Sequence, residues 1–235
     1  MGYRDLLKEA TRLKKEKKYE DACNALRLAF SSASENEYID IRERLRLPAY
    51  LCFDDKDDEA WWELNKLLEA HTDMISQFAI ISKMSVFLED EGKILDSLMF
   101  FTRSYILDLM HRVSLIVSMH ESADKSAMEE PLKVEMKDGT IVELDFRKMD
   151  ENKEPFAYTK LGNPIYAVAY NHTLKSLNDK LDFERIKSDF KPLCKKANRP
   201  DLPKKLAKKV LEILEYEPDG WLYDLNEFIK REFED

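Results

Sequence analysis

Between Pro48 and Pro131 the chain contains no proline and a single glycine, Gly92. Proline breaks helices and glycine serves the turns of sheet proteins, so this long stretch predicts helices joined by short polar turns. The whole chain of 235 residues has only 5 glycines, whereas average usage is roughly 7%. This shortage argues against sandwiches, barrels and Gly-looped nucleotide folds, and it favours a mainly α-helical protein.

Charged residues make up 36% of the chain and hydrophobic residues 44%, with a formal net charge of −9. This balance argues against wholesale disorder. Three widely spaced cysteines without a CxxC pair indicate a reducing compartment, and the N-terminus lacks a signal-peptide pattern. The most apolar stretch, residues 94–119, is interrupted by charges, whereas a membrane span needs about 20 nearly uncharged residues. We therefore expect a cytoplasmic protein without a membrane segment.

Apolar residues recur with helical periodicity in consecutive pairs of segments. Residues 3–13 are followed by 19–30, residues 38–53 by 59–68, and residues 75–88 by a segment that starts at 94. Each pair is joined by a short polar break, which predicts an antiparallel helical hairpin.

Small residues mark the second segment of each pair. Ala22, Ala60 and Ser97 occupy corresponding places, and their numbers are 38 and 37 apart. In the first pair, Tyr19 precedes the small residue and Leu26 follows it. Small residues let two helices approach closely, while large residues fill the space to the next hairpin. The pattern therefore indicates an internal repeat.

The spacing resembles that of tetratricopeptide (TPR) repeats, which have a strict period of about 34 residues. The resemblance covers roughly residues 1–110 and implies an α-solenoid of antiparallel helical hairpins. Pro48 departs from the family pattern, because a small residue usually stands at that place in the first helix.

The resemblance also implies a concave groove, lined by the first helix of each hairpin, in which such proteins commonly hold peptides. Leu7 and Thr11 stand where some relatives have the lysine and asparagine of a carboxylate clamp, which argues against that specific function. A general preference for an acidic partner remains, because Arg and Lys bind carboxylates. The alternative is that these positions are solvated helix faces. The partner-binding residues that we predict are Arg4, Lys8, Lys15, Arg42, Arg46 and Lys83.

Residues 132–146 alternate between apolar and polar side chains around Asp138-Gly139, which predicts a β-hairpin. A three-residue loop pairs Leu132 with Leu144 and Val134 with Val142, so one face is apolar throughout. Four further helices are expected at about 164–179, 183–197, 203–216 and 220–233. We therefore predict a TPR-like helical repeat domain over 1–121, a β-hairpin and connector over 122–163, and a C-terminal helical module over 164–235.

A lysine-rich cluster near the C-terminus offers a second candidate function, the binding of nucleic acid through its phosphates. The alternative is pairing within the chain, because residues 212–235 carry nine acidic side chains against two basic ones. The candidate nucleic-acid-binding residues are Lys195, Lys204, Lys205, Lys208 and Lys209.

The common catalytic signatures are absent from the sequence, including the P-loop, GxGxxG, GxSxG and HExxH. The four histidines are scattered, so we predict no catalytic residue, no metal site and no cofactor. An enzyme with an unfamiliar site in residues 130–200, around Asp145, Tyr170 or His172, is the third candidate. The sequence favours a non-catalytic adaptor or scaffold that binds a protein segment, possibly acidic, in a basic groove.

Overall fold

The computed structural model describes residues 2–33, 39–121, 132–135, 141–144, 175–216 and 220–234. Within these residues the protein is mainly helical, which confirms the predicted class. The helices are α1 (Tyr3–Lys15), α2 (Tyr19–Ser32), α3 (Ile41–Arg44), α4 (Arg46–Phe53), α5 (Asp57–Ala70), α6 (Met74–Asp90), α7 (Ile94–Glu121), α8 (Phe183–Lys196), α9 (Leu202–Tyr216) and α10 (Trp221–Glu234). Residues 175–181 are also helical.

The chain divides into two compact units. Unit 1 comprises Met1–Asp108 and Phe190–Asp235, and unit 2 comprises Leu109–Asp189. Unit 2 is therefore inserted into unit 1, and the two crossings fall within α7 and α8. The predicted domain boundaries near residues 121 and 163 both lie inside unit 2, and the three-domain division stays a prediction.

The turns that join α1 to α2, α4 to α5 and α6 to α7 have the same construction. Each contains one residue with a left-handed backbone: Lys17 (φ 61°), Asp55 (φ 55°) or Gly92 (φ 76°). The next residue, always a lysine, donates its backbone N–H to a leucine carbonyl five positions earlier, at 3.0, 3.0 and 2.8 Å. This bond is the signature of the Schellman motif, which satisfies carbonyls at a helix end and reverses the chain.

The lysine of each turn also pairs with the acidic residue two positions before it. The three ion pairs are Lys18–Glu16 at 2.9 Å, Lys56–Asp54 at 2.6 Å and Lys93–Glu91 at 2.7 Å. The turn between α8 and α9 repeats the backbone bond, with Asn198 at φ 56° and a bond of 2.9 Å from Arg199 N to the Cys194 carbonyl.

The small residues lie where the helices of a hairpin meet. Ala10, Ala22 and Ala60 are fully buried in a core that α1 to α6 share. In the third hairpin, buried Ser85 and Ser97 hydrogen-bond reciprocally, because each hydroxyl donates to the other residue's backbone carbonyl, at 2.9 and 2.8 Å. Serine thus serves at this interface as a small residue whose polar group is satisfied.

The prediction of one continuous helix over residues 38–53 is wrong. The described part of this segment forms α3 and α4, which are separated at Leu45. Pro48 explains the break, because proline has no N–H to bond the carbonyl four residues earlier and its ring crowds that carbonyl. Pro48 lies in the first turn of α4, where a missing N–H is tolerated.

The C-terminal helices α8, α9 and α10 follow the predicted positions closely. Phe190 of α8 is fully buried, with ring centroids 5.2 Å from Phe101 and 5.4 Å from Tyr105 of α7. Lys196 forms an ion pair with Glu89 at the end of α6. These contacts join the C-terminal helices to the third hairpin within unit 1. The predicted helix over 164–179 begins outside the described residues.

Two short strands in unit 2, β1 (Leu132–Glu135) and β2 (Ile141–Leu144), pair in antiparallel fashion. The register opposes Leu132 to Leu144 and Val134 to Val142, which are the pairs that a three-residue loop requires. The loop itself lies outside the described residues and stays a prediction. Over the described ranges, no helix is both long enough and apolar enough to cross a membrane.

We expect Gly92→Ala to lower the free energy of unfolding by about 1 to 2 kcal/mol, because an L residue pays this amount for a left-handed backbone. A Cβ at Gly92 would meet no atom within 4 Å, so the effect isolates backbone strain. Urea unfolding measures it. Gly2→Ala is the control, because Gly2 has φ −75° and should change stability little. Equal losses in the two variants would contradict the left-handed turn.

Candidate partner-binding surface

Individual contacts connect the first-helix segments of neighbouring hairpins. Arg46 of α4 donates hydrogen bonds to the Leu7 carbonyl at 3.0 Å and to Thr11 Oγ1 at 2.8 Å, both on α1. The bonded residues are 39 and 35 positions apart, close to the hairpin repeat. Further along the chain, α3 packs against α6.

A basic stripe runs along α1. At 100° per residue, Arg4, Lys8, Thr11 and Lys15 fall within an arc of about 60° on one side of the helix. All four are exposed. Thr11 is the residue that accepts the bond from Arg46, so this side of α1 lies beside α4. The acidic residues of α1 occupy a different arc, at about 100° to 140° from Arg4; they are Asp5, Glu9 and Glu16.

The acidic arc of α1 is paired within the helix. Arg12 forms ion pairs with Glu9 at 2.5 Å and with Glu16. The hydrogen bond from Arg12 holds the pKa of Glu9 below its ordinary value. By contrast, Arg4, Lys8 and Lys15 have no acidic partner among the described residues. The positive charge of the stripe is therefore not neutralised by its own helix.

The structure separates the two predicted arginines of the second hairpin. Arg42 is exposed, and its side chain has no acidic partner among the described residues. Arg46 is half-buried, pairs with Glu43 at 2.6 Å and lies 5.6 Å from the Tyr50 ring centroid. Burial by itself lowers the pKa of Arg46, but bonds to Glu43 and Tyr50 outweigh burial and the pKa is raised. Arg46 therefore stabilises the contact between helices, while Arg42 is available to a partner.

Lys83, the sixth predicted residue, belongs to the third hairpin. It is half-buried on α6, with its ammonium 5.2 Å from the centroid of the Phe87 ring. Among the described residues no hydrogen bond or ion pair connects it to the cations of α1. We define the basic face as Arg4, Lys8, Lys15, Arg42 and Arg46.

Lys14 of α1 is a further cation beside α4, and it is not among the six predicted partner-binding residues. Its ammonium lies 5.0 Å from the centroid of the Phe53 ring on α4, a favourable cation–π distance. Phe53 is 49% exposed although it is a large apolar residue.

Two of the five C-terminal lysines are engaged in ion pairs. Lys205 of α9 pairs with Glu232 of α10 and with Asp201, and Lys209 pairs with Glu212 at 3.3 Å. The Lys205–Glu232 pair is of the kind that the acidic C-terminal segment predicts. Lys195, Lys204 and Lys208 are exposed and have no acidic partner in the described part of the chain.

The described side chains give little support for catalysis. Burial raises the pKa of Cys23 to about 11 and that of Cys194 to about 12, so both thiols stay protonated at neutral pH. Burial and a hydrogen bond with Asp57 raise the pKa of Cys52 to about 12. No group of three or more metal-ligating side chains occurs among the described residues. Asp145, Tyr170 and His172, named for an enzyme site, lie outside them.

We expect Arg46→Met to lower the free energy of unfolding by about 1 to 3 kcal/mol, because it removes the ion pair with Glu43 and the hydrogen bonds that join α4 to α1. Arg42→Met is the matched control and should change stability by less than about 0.5 kcal/mol, since exposed residues without bonds contribute little. Urea unfolding of both variants measures the difference. Equal effects would show that Arg46 does not connect the helices.

The comparisons with known proteins give no family to which this surface can be assigned. No protein-family model, no curated protein and no solved structure matches the chain.

Proposed function

We propose that this protein is a non-catalytic adaptor that binds an acidic segment of a protein partner on the basic face. The observation that carries the proposal is the stripe on α1, whose three cations are exposed and have no acidic partner among the described residues, beside exposed Arg42. A protein surface that needed these charges for its own stability would pair them, as Arg12 and Arg46 are paired.

The repeated hairpins support a binding role of this kind. We propose that they form a divergent TPR-like array, with the first helices lining one continuous surface. The support is that the left-handed turn residues, at positions 17, 55 and 92, are 38 and 37 apart, which is the spacing of the small residues in the second helices. Stacked repeats of similar hairpins present long surfaces suited to extended partners.

An acidic partner suits these cations better than a neutral one. Carboxylates accept charge-assisted hydrogen bonds from Arg and Lys, and Arg can engage both oxygens of one carboxylate. The net charge of −9 does not oppose this, because a bound segment meets the local charges rather than the sum over the chain.

We expect combined Arg4→Glu, Lys8→Glu and Arg42→Glu to weaken binding of a fluorescein-labelled, glutamate-rich peptide by tenfold or more. The estimate takes about 0.5 to 1 kcal/mol for each exposed ion pair that is lost, and 1.4 kcal/mol corresponds to tenfold. Fluorescence anisotropy at low and high salt measures the affinity, which should fall as salt rises. Arg46 is left unchanged because its substitution would disturb the packing of α1 on α4.

The control combines Lys195→Glu, Lys204→Glu and Lys208→Glu, which changes net charge by the same amount on exposed, unpaired residues. We expect this control to bind the peptide as the unaltered protein does. Failure of the unaltered protein to bind, or an equal loss in both triple variants, would contradict the proposal.

The same control tests nucleic-acid binding through the C-terminal lysines. With Lys205 and Lys209 engaged in ion pairs, only three of the five proposed lysines are available for phosphates. We therefore expect labelled single-stranded RNA to bind weakly at physiological salt. Tight, salt-sensitive RNA binding that the C-terminal triple variant abolishes would instead favour the nucleic-acid hypothesis.

A further inference from the structure

Two aliphatic residues of α6, Ile75 and Val86, are exposed on one side of the helix. Ile75, Ala79, Ser82 and Val86 fall within an arc of about 60° on α6. Ile75 is 50% exposed and Val86 is 46% exposed. Scattered exposed apolar residues are ordinary, but an apolar stripe along one helix face next to a charged one is typical of an interaction site. We define the aliphatic residues Ile75, Ala79 and Val86 as the apolar stripe, with Ser82 among them.

Phe53 lies between the basic face and the apolar stripe in the order of the first helices. Its ring contacts Lys14 of α1 and lies 5.5 Å from Tyr19 and 6.4 Å from Tyr50, centroid to centroid. The short helix α3, which precedes α4, packs against α6. The surface thus changes from basic on α1, through an exposed aromatic ring on α4, to apolar on α6.

The rest of unit 1 leaves the apolar stripe exposed. Within that unit, α8 packs through Phe190 on the Phe101 and Tyr105 rings of α7, and Lys196 bonds Glu89 at the end of α6. Ile75 and Val86 keep about half of their surface in solvent despite these contacts. None of the described elements that pack on α6 therefore buries Ile75 or Val86 fully.

We propose that the partner segment is bipartite, with an acidic stretch over the basic face and apolar side chains over Phe53 and the apolar stripe. This inference rests on the proposed adaptor function and specifies the ligand of the same surface. Charge complementarity fixes which part of the segment lies over α1. The two aliphatic residues of α6 favour an apolar protein side chain over a nucleobase, because bases stack on aromatic rings and Ile75 and Val86 offer none.

Three fluorescein-labelled peptides of equal length test this proposal by anisotropy. The first is acidic throughout, the second joins an acidic block to a block of leucine and phenylalanine, and the third interleaves the residues of the second. We expect the block peptide to bind about tenfold tighter than the acidic one, because burying an apolar side chain contributes that much to affinity. The interleaved peptide should not share the gain, since its apolar residues do not align with the stripe.

Two sets of variants separate the parts of the surface. Combined Ile75→Ser and Val86→Ser should reduce the affinity of the block peptide to that of the acidic peptide and leave the acidic peptide unaffected. Phe53→Ser should act in the same direction. Phe53 also packs on Tyr19, so Phe53→Ser could fail to fold. In that case the combined Ile75→Ser and Val86→Ser variant, called the α6 variant below, still gives the result. Leu28→Ser, at a residue 56% exposed on α2, is the control and should change no affinity.

The outcomes distinguish the two proposals. If the acidic and block peptides bind equally, or if the α6 variant leaves both unchanged, the bipartite ligand is wrong while the adaptor function stands. If no peptide binds, the adaptor function itself fails. If the unaltered protein self-associates in light scattering and the α6 variant is monomeric, the stripe is an interface between copies and the bipartite ligand is overturned. Tighter binding of single-stranded RNA than of the block peptide would overturn it as well.

Discussion

The backbone bond that closes each hairpin turn is the interaction on which the rest of unit 1 depends. A helix end leaves carbonyls without partners, and here the N–H of Lys18, Lys56 or Lys93 satisfies one of them from beyond a left-handed residue. The bond reverses the chain within three residues and fixes where the second helix begins. The small residue four positions after each lysine then lies against the first helix, which allows close packing. The three turns are alike, and this likeness supports the proposal that the first helices line one surface.

Most of the helices could be predicted from the sequence, because apolar periodicity and the lack of proline are local properties. The left-handed turn at Gly92 could also be predicted from the sequence, since glycine is favoured where the backbone is left-handed. The turn at Lys17 could not, because lysine does not signal a left-handed backbone. Aspartate tolerates that backbone, but four aspartates stand within residues 54–58, so the residue type alone does not single out Asp55. A clearer signal was the recurrence of leucine, then an acid three residues later and a lysine five residues later, at 13–18, 51–56 and 88–93. To predict the break between α3 and α4, one had to consider that Pro48 cannot bond the carbonyl four residues earlier and that its ring crowds that carbonyl.

The candidate site divides in the same way. The stripe of Arg4, Lys8 and Lys15 depends on the geometry of one helix, so spacing alone predicts it. The role of Arg46 depends on where the Leu7 carbonyl and Thr11 lie, and no spacing within one helix encodes a contact between residues about one repeat apart. The engagement of Lys205 by Glu232 likewise needs the packing of α9 and α10. The composition predicted that some lysines would be paired, but it could not say which.

The arrangement of charge on α1 explains how an acidic protein can present a basic surface. Arg12 lies between the stripe and the acidic arc, and Arg12 and Lys18 form ion pairs with Glu9 and Glu16. These pairs reduce the effect of the two carboxylates on the stripe. At physiological ionic strength the field of an exposed charge decays over about 8 Å, which is less than the width of a helix, about 10 Å with its side chains. A segment lying on the basic face therefore meets the nearby charges of Arg4, Lys8 and Arg42 more strongly than the distant charges of the chain. Binding should follow the local charge pattern, and the sign of the total charge does not determine the choice of partner.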